Sequence, residues 1–173
     1  MSKFVPKVFL LDVDGVFTDG SFYYTEEGKI MKKFGPDDND ALSLLSKFIT
    51  IEAISGDKRG FQITKKRIAD DMGLSLTQVS TFKRVEWIKK RFNLKEVIYM
   101  GDGILDPLVF RKVGYSIAPA NAFYTAKKEA IFTTNAVGGS GAVAEACIHI
   151  MNTFFEPFDY DTLDFSIGNS VWK

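Results

Sequence analysis

One stretch near the start of the chain constrains the fold more than any other. Residues 9–20 read FLLDVDGVFTDG, an apolar run that ends in three carboxylates and two glycines. An uninterrupted apolar run predicts a strand buried on both faces, as in a parallel sheet covered by helices. Ligands of such sheets bind beyond the carboxyl ends of the strands. Asp12 and Asp14 are therefore predicted to lie at a functional site.

The two carboxylates are also predicted to lie close together. Asp12 and Asp14 flank Val13, so in an extended strand their side chains point the same way. Unpaired carboxylates at short distance repel each other and are costly to bury. A divalent cation relieves this repulsion, and hard oxygen ligands suit Mg²⁺. The alternative is an ordinary turn with solvated aspartates after a core strand.

The rest of the chain predicts an α/β fold, because apolar strand segments alternate with helical segments almost throughout. Residues 21–24 and 29–34 form either an inserted hairpin or two edge strands, and helices are predicted over 59–72 and 82–92. We expect one domain over residues 1–155, with the hairpin at about 21–34. Residues 156–173 are aromatic and acidic, and form either a disordered tail or a docking arm.

Bulk properties narrow the function classes. The chain has 173 residues and a formal net charge of zero, which argues against broad nucleic-acid binding. No stretch approaches the roughly 18 apolar residues of a membrane helix, and no signal peptide is recognisable. Cys147 is the sole cysteine, so the expected setting is the reducing cytoplasm.

Polar residues with matched chemistry follow the later strands. Ser55 and Gly56 offer a hydroxyl and a backbone N–H for a phosphate, and Lys83 offers a positive charge to neutralise it. Asp102 is placed to complete a metal site, and Asp106 to hold the lysine or the metal shell. Taken singly, these residues are more typical of a helix cap, a solvated lysine and turn aspartates.

Together the residues predict phosphoryl transfer to a carboxylate. Mg²⁺ shields the phosphate so that Asp12 can attack phosphorus. Asp14 is placed to protonate the leaving alcohol and then to activate water. Asn, Ser or Ala at position 12 is expected to abolish turnover.

These motifs resemble those of the haloacid dehalogenase superfamily of phosphatases. The match runs through Asp12-Val13-Asp14-Gly15-Val16, Ser55, Lys83 and Gly101-Asp102-x-x-x-Asp106. Within the superfamily the chain is similar to the phosphatases of 3-deoxy-manno-octulosonate 8-phosphate and of nine-carbon ulosonate 9-phosphates. Residues 12–20, the hairpin up to Phe34, the Gly101 motif and the segment 138–143 carry that similarity, which covers about residues 6–155.

The resemblance implies a Rossmann-like core with a small hairpin cap, acting on a sugar phosphate. It implies that Asp12, Asp14 and Asp102 bind Mg²⁺, with the carbonyl side of Val13, and that Thr18 lies near the base of the cap as a substrate-site residue. It further implies a homotetramer whose hairpins form a central barrel, with a neighbouring subunit closing each active site.

Two departures bear on the substrate. Asp57 and Lys58 stand where the octulosonate enzymes have an arginine, closer to the nine-carbon group, and they are expected at the substrate. Gly103 replaces a second aspartate. The substrate is therefore left open between eight- and nine-carbon ulosonate phosphates. The alternatives are a phospho-accepting receiver domain, which has no use for the hairpin, and a non-catalytic assembly module of nucleotide-sugar synthesis.

Overall fold

A computed structural model describes residues 4–162 of the chain and shows an α/β fold built on parallel strands. In chain order the strands are β1 (Val8–Asp12), β2 (Tyr23–Thr25), β3 (Gly28–Met31), β4 (Thr50–Ser55), β5 (Ser75–Gln78), β6 (Val97–Met100), β7 (Tyr115–Ala118) and β8 (Phe132–Thr133). The predicted fold class is confirmed.

The main sheet has the strand order β5-β4-β1-β6-β7-β8, and its strand pairs are parallel. β1 lies at the centre, where the chain first extends the sheet on one side and then turns to the other. Asp12 pairs with Ile54 of β4, and Leu11 pairs with Met100 of β6. The carboxyl ends of β1, β4 and β6 therefore meet at the point of reversal, where such sheets bind ligands.

Helices cover both faces of this sheet. In chain order they are α1 (Asp38–Leu45), α2 (Phe61–Lys65), α3 (Arg84–Arg91), α4 (Pro107–Phe110), α5 (Tyr124–Glu129) and α6 (Ala142–Phe154). Every residue of β1 is buried. Phe9 and Leu11 belong to a core shared with α1 and α6, whereas Val8 and Leu10 belong to one shared with α3, α4 and α5. The alternation of a strand explains how one apolar run supplies both layers.

Two predicted helices differ in detail. The helix predicted over 59–72 is α2 followed by wider, π-type turns at Lys66–Asp71. The helix predicted over 82–92 is a 3₁₀ turn at Thr81–Lys83 followed by α3. The second difference decides which basic residue faces the sheet.

The insertion after β1 is a hairpin, and the alternative of two edge strands in the main sheet does not apply. β2 and β3 pair antiparallel in a sheet of their own, and a bridge between Thr18 and Phe34 closes its base. The strands are shorter than the predicted 21–24 and 29–34.

The described part of the C-terminal segment ends in a 3₁₀ turn at Tyr160–Thr162. Phe158 packs against the core, and its N–H donates to Asn152 Oδ1 over 2.8 Å. Of the predicted tail or arm, residues 163–173 lie outside the described residues. Among residues 4–162, no helix combines the length and apolar character needed to cross a bilayer.

Candidate active site

The loop after β1 is folded tightly around its own backbone. Asp12 Oδ1 accepts from the N–H of Val13 over 2.8 Å, and Gly15 adopts a φ of 83°. A Cβ on Gly15 would overlap the carboxyl of Asp102. Glycine at this position therefore lets the loops after β1 and β6 approach each other.

Thr18 lies at the base of the hairpin, where it forms a bridge with Phe34. Its side chain is fully buried, and Oγ1 accepts from the N–H groups of Gly15 and Gly20 over 3.1 and 3.3 Å. The hydroxyl therefore holds the turns of this loop together.

A buried guanidinium holds the Asp12 carboxylate. Arg84 begins α3, and its two terminal nitrogens donate to Asp12 Oδ2 and Oδ1 over 2.7 and 2.8 Å. The first of them also lies 2.8 Å from Asp106 Oδ1 and 2.7 Å from the hydroxyl of Tyr99. This fork fixes both oxygens of Asp12, as the planar geometry of arginine allows.

Lys83 does not join this cluster. Its side chain is 72% exposed, and Nζ lies 3.8 Å from Glu86. The 3₁₀ turn before α3 leaves Lys83, predicted to neutralise a bound phosphate, in solvent and brings Arg84 inward to the carboxylates.

Three carboxyl groups converge beside Arg84. One oxygen each from Asp12, Asp102 and Asp106 lies within 4.8 Å of the others. Asp106 also accepts from Tyr99 Oη over 2.7 Å and from the N–H of Gly103 over 2.8 Å. Asp106 therefore links Arg84, Tyr99 and the loop after β6 at the edge of this cluster.

The electrostatics of this cluster leave room for a second cation. Burial, reinforced by Asp12 and Asp106, raises the pKa of Asp102 to about 8. Burial also raises the pKa of Asp12 to about 6, although Arg84 acts in the opposite direction. One guanidinium does not balance three carboxylates, so the donor set fits a metal ion with Asp12 and Asp102 as oxygen ligands.

Asp14 faces a separate set of partners. β1 ends at Asp12, so Asp14 lies in the turn and the argument from strand alternation does not apply. Lys32 Nζ lies 2.7 Å from Asp14 Oδ1, and the Ser55 hydroxyl donates to Oδ2 over 3.5 Å. The structure thus places Ser55 beside Asp14 but does not include Asp14 in the three-carboxyl cluster.

Asp57 is paired within the chain. Its Oδ2 lies 2.5 Å from Lys29 and 2.8 Å from Lys32, and its Oδ1 accepts from the N–H of Gly60 over 3.0 Å. Burial opposes the charge, but the two lysines hold the pKa of Asp57 well below its ordinary value. The structure thus places Asp57, predicted to lie at the substrate, against two hairpin lysines, whereas Lys58 is exposed.

Gly56 allows a close approach between two loops of the site. A Cβ there would lie 3.0 Å from the Thr81 hydroxyl.

Three residues of the site, Lys29, Lys32 and Arg84, were not predicted from the sequence. No sequence spacing identifies the two hairpin lysines as site residues. Arg84 directly follows the predicted Lys83, and α3 begins between the two.

Comparison with known proteins supplies relatives along most of the chain. No family model matches it. The 3-deoxy-D-manno-octulosonate 8-phosphate phosphatase of Salmonella typhi is 32% identical over 146 residues, which span 82% of this chain and 77% of that protein.

Two solved structures have the same fold. A probable YrbI family phosphatase of Pseudomonas syringae has a TM-score of 0.76 and 34% identity, covering 86% of each chain. The 3-deoxy-D-manno-octulosonate 8-phosphate phosphatase of Moraxella catarrhalis, in complex with magnesium, phosphate and KDO, has a TM-score of 0.73 and 28% identity. It covers 85% of this chain and 86% of its own.

Proposed function

The chain belongs to the haloacid dehalogenase phosphatases that include the 3-deoxy-D-manno-octulosonate 8-phosphate phosphatases, and from that premise we propose a Mg²⁺-dependent reaction on an ulosonate phosphate. The chain is a phosphatase that hydrolyses phosphomonoesters, and its substrate class is sugar phosphates. The substrate we propose is a 2-keto-3-deoxy-ulosonate phosphate of eight or nine carbons.

The observation that carries the mechanism is the Asp12 carboxylate held by Arg84 at the end of β1. With its pKa at about 6, Asp12 is mostly ionised at neutral pH and can act as the nucleophile. It attacks phosphorus as the bond to the sugar oxygen breaks, which gives an aspartyl phosphate on Asp12. The fork of Arg84 keeps the attacking oxygen in a fixed orientation.

Asp14 moves the protons in this proposal. It gives a proton to the departing sugar oxygen and takes one from the water that then attacks the aspartyl phosphate. The side chain of Asp14 is 19% exposed while its Oδ1 is buried, so a ligand can reach the carboxyl only from the side away from Oδ1. Ser55 Oγ, beside Asp14, and the Gly56 N–H are the proposed phosphate contacts.

Mg²⁺ is proposed to bind Asp12 and Asp102 and to neutralise charge on the phosphate oxygens. The excess of carboxylates over cations in the cluster supports this site. Magnesium in the Moraxella catarrhalis phosphatase supports the choice of ion for this chain.

Two further parts of the proposal concern the assembly and setting. We propose a cytoplasmic homotetramer in which the hairpins meet and a neighbouring subunit closes the site. Support comes from large apolar side chains that the hairpin region leaves exposed, namely Phe22, Tyr23, Tyr24, Ile30 and Met31, since contiguous exposed apolar surface marks interaction sites. A monomer in light scattering at micromolar concentration would contradict the tetramer.

A phosphate-release assay tests the reaction. Eight-carbon ulosonate 8-phosphate, nine-carbon ulosonate 9-phosphate and hexose 6-phosphates are compared with Mg²⁺ and with EDTA. We expect release from an ulosonate phosphate that falls at least about 100-fold in EDTA and is restored by added Mg²⁺.

The matched control is Asp12→Asn, which keeps the shape of the side chain but removes the nucleophilic carboxylate. We expect turnover to fall by at least about 10⁴-fold, with the circular dichroism spectrum unchanged. If the natural chain releases no phosphate from any ester in Mg²⁺, the enzymatic proposal fails and the assembly module is favoured.

A further inference from the structure

A buried lysine joins the hairpin to Asp14. Lys32 follows β3, and its side chain is fully buried. Its Nζ lies 2.7 Å from Asp14 Oδ1, 2.8 Å from Asp57 Oδ2 and 2.8 Å from the Thr64 hydroxyl. The contact with Thr64 is a hydrogen bond, whereas the contact with Asp14 is an ion pair, and Oδ1 has no hydrogen-bond partner among the described residues.

The position of this ammonium is costly unless it is fully paired. An unpaired buried charge is strongly unfavourable, and lysine side chains are almost never completely buried without partners. Asp57 is itself tied to the backbone by the N–H groups of Arg59 and Gly60. Asp57 and Thr64 therefore fix the Lys32 ammonium independently of its contact with Asp14.

We propose that Lys32 is a positioning residue for the proton transfer, and this inference rests on the proposed role of Asp14. Lys32 holds Oδ1 of Asp14, so that Oδ2 carries the proton to the departing sugar oxygen. As the bond between phosphorus and that oxygen breaks, the proton moves from Oδ2 to the oxygen. Asp14 becomes a carboxylate, and the ammonium of Lys32 remains charged and pairs with it.

Lys29 provides a matched control in the same hairpin. Its side chain is 3% exposed, its Nζ pairs with Asp57 over 2.5 Å and it lies 3.3 Å from the centre of the Phe22 ring. Among the ion pairs of the described residues, Lys29 has none with Asp14. Removing Lys29 thus disturbs the hairpin and its charge, but does not remove the contact that the proposal depends on.

The test compares two leaving groups. A sugar alkoxide needs a proton as it departs, whereas p-nitrophenolate does not, so a defect in proton donation affects mainly the sugar ester. For Lys32→Met we expect kcat/KM to fall about 100-fold on the ulosonate phosphate. On p-nitrophenyl phosphate we expect a loss within about threefold. For Lys29→Met we expect both substrates to change by the same small factor.

Unfolding curves establish that each variant is folded. If Lys32→Met does not fold, Lys32→Gln, which keeps an N–H donor without the charge, takes its place in the same comparison. Equal losses of Lys32→Met on the two substrates, or the same pattern in Lys29→Met, would overturn the positioning role alone. A natural chain that releases phosphate from neither ester would instead overturn the proposed function.

Discussion

Asp38 is predicted to reduce the stability of the fold at neutral pH, and Asp38→Asn to increase it. The residue lies in the first turn of α1 and is 2% exposed. Its Oδ1 accepts from the N–H of Ala144 at the start of α6 over 3.1 Å, whereas Oδ2 is buried without a hydrogen-bond partner. Burial raises the pKa of Asp38 from its ordinary 3.8 to about 6, against the attraction of Arg67.

The size of the effect follows from this pKa. Because the folded chain binds the proton more tightly, the contribution of Asp38 is fully present below pH 3.8 and is lost as the pH rises through 6. At about 1.4 kcal/mol per pKa unit, the full loss is roughly 3 kcal/mol. About 1 kcal/mol of that is already lost at pH 4.5, so roughly 2 kcal/mol remains between pH 4.5 and pH 8.

Urea unfolding at fixed protein concentration measures this difference. Asparagine keeps an oxygen for the N–H of Ala144 and has no charge, so Asp38→Asn is expected to gain roughly 2 kcal/mol on the natural chain as the pH rises from 4.5 to 8. Asp40→Asn, at an exposed position of the same helix, is the control and is expected to change little. Parallel pH profiles for Asp38→Asn and the natural chain would refute the reasoning.

Two further predictions concern the site itself. Arg84→Met leaves the buried carboxylate of Asp12 without its cation and is expected to cost about 3–5 kcal/mol in urea unfolding. Lys83→Met, at an exposed position, is expected to change the free energy of unfolding by less than about 1 kcal/mol, and equal effects of the two variants would contradict the inward placement of Arg84. A Cβ on Gly138 would overlap the carbonyl of Gly15, so Gly138→Ala is expected to push the Asp12 loop aside and lower kcat/KM at least about tenfold. Undiminished turnover in Gly138→Ala would show that the two loops separate without consequence.

The sequence is most informative where a local pattern determines the structure. The apolar run before Asp12 predicts a strand buried on both faces, and every residue of β1 is buried. The alternation of strands and helices gives the correct fold class. In each case the hydrophobic pattern lies within a few consecutive residues, because it depends on which faces of one strand or helix are buried.

The sequence is least informative where partners come from distant elements. Lys32 and Asp14 meet because the hairpin folds back over the loop after β1, and no periodicity records that approach. The choice between Lys83 and Arg84 depends on one residue in the start of a helix, which is among the least certain features of a sequence-based prediction. The buried hydroxyl of Thr18 likewise depends on how the loop closes around it.

The central place of β1 in the sheet has a consequence for synthesis of the protein. This early strand pairs with residues 50–54 on one side and with residues 97–100 on the other. Pairing across such long separations is slow, since the intervening chain must first be ordered. A nascent chain that ends before residue 97 therefore carries an apolar strand with an open edge. Early elongation is the stage at which aggregation competes most strongly with folding.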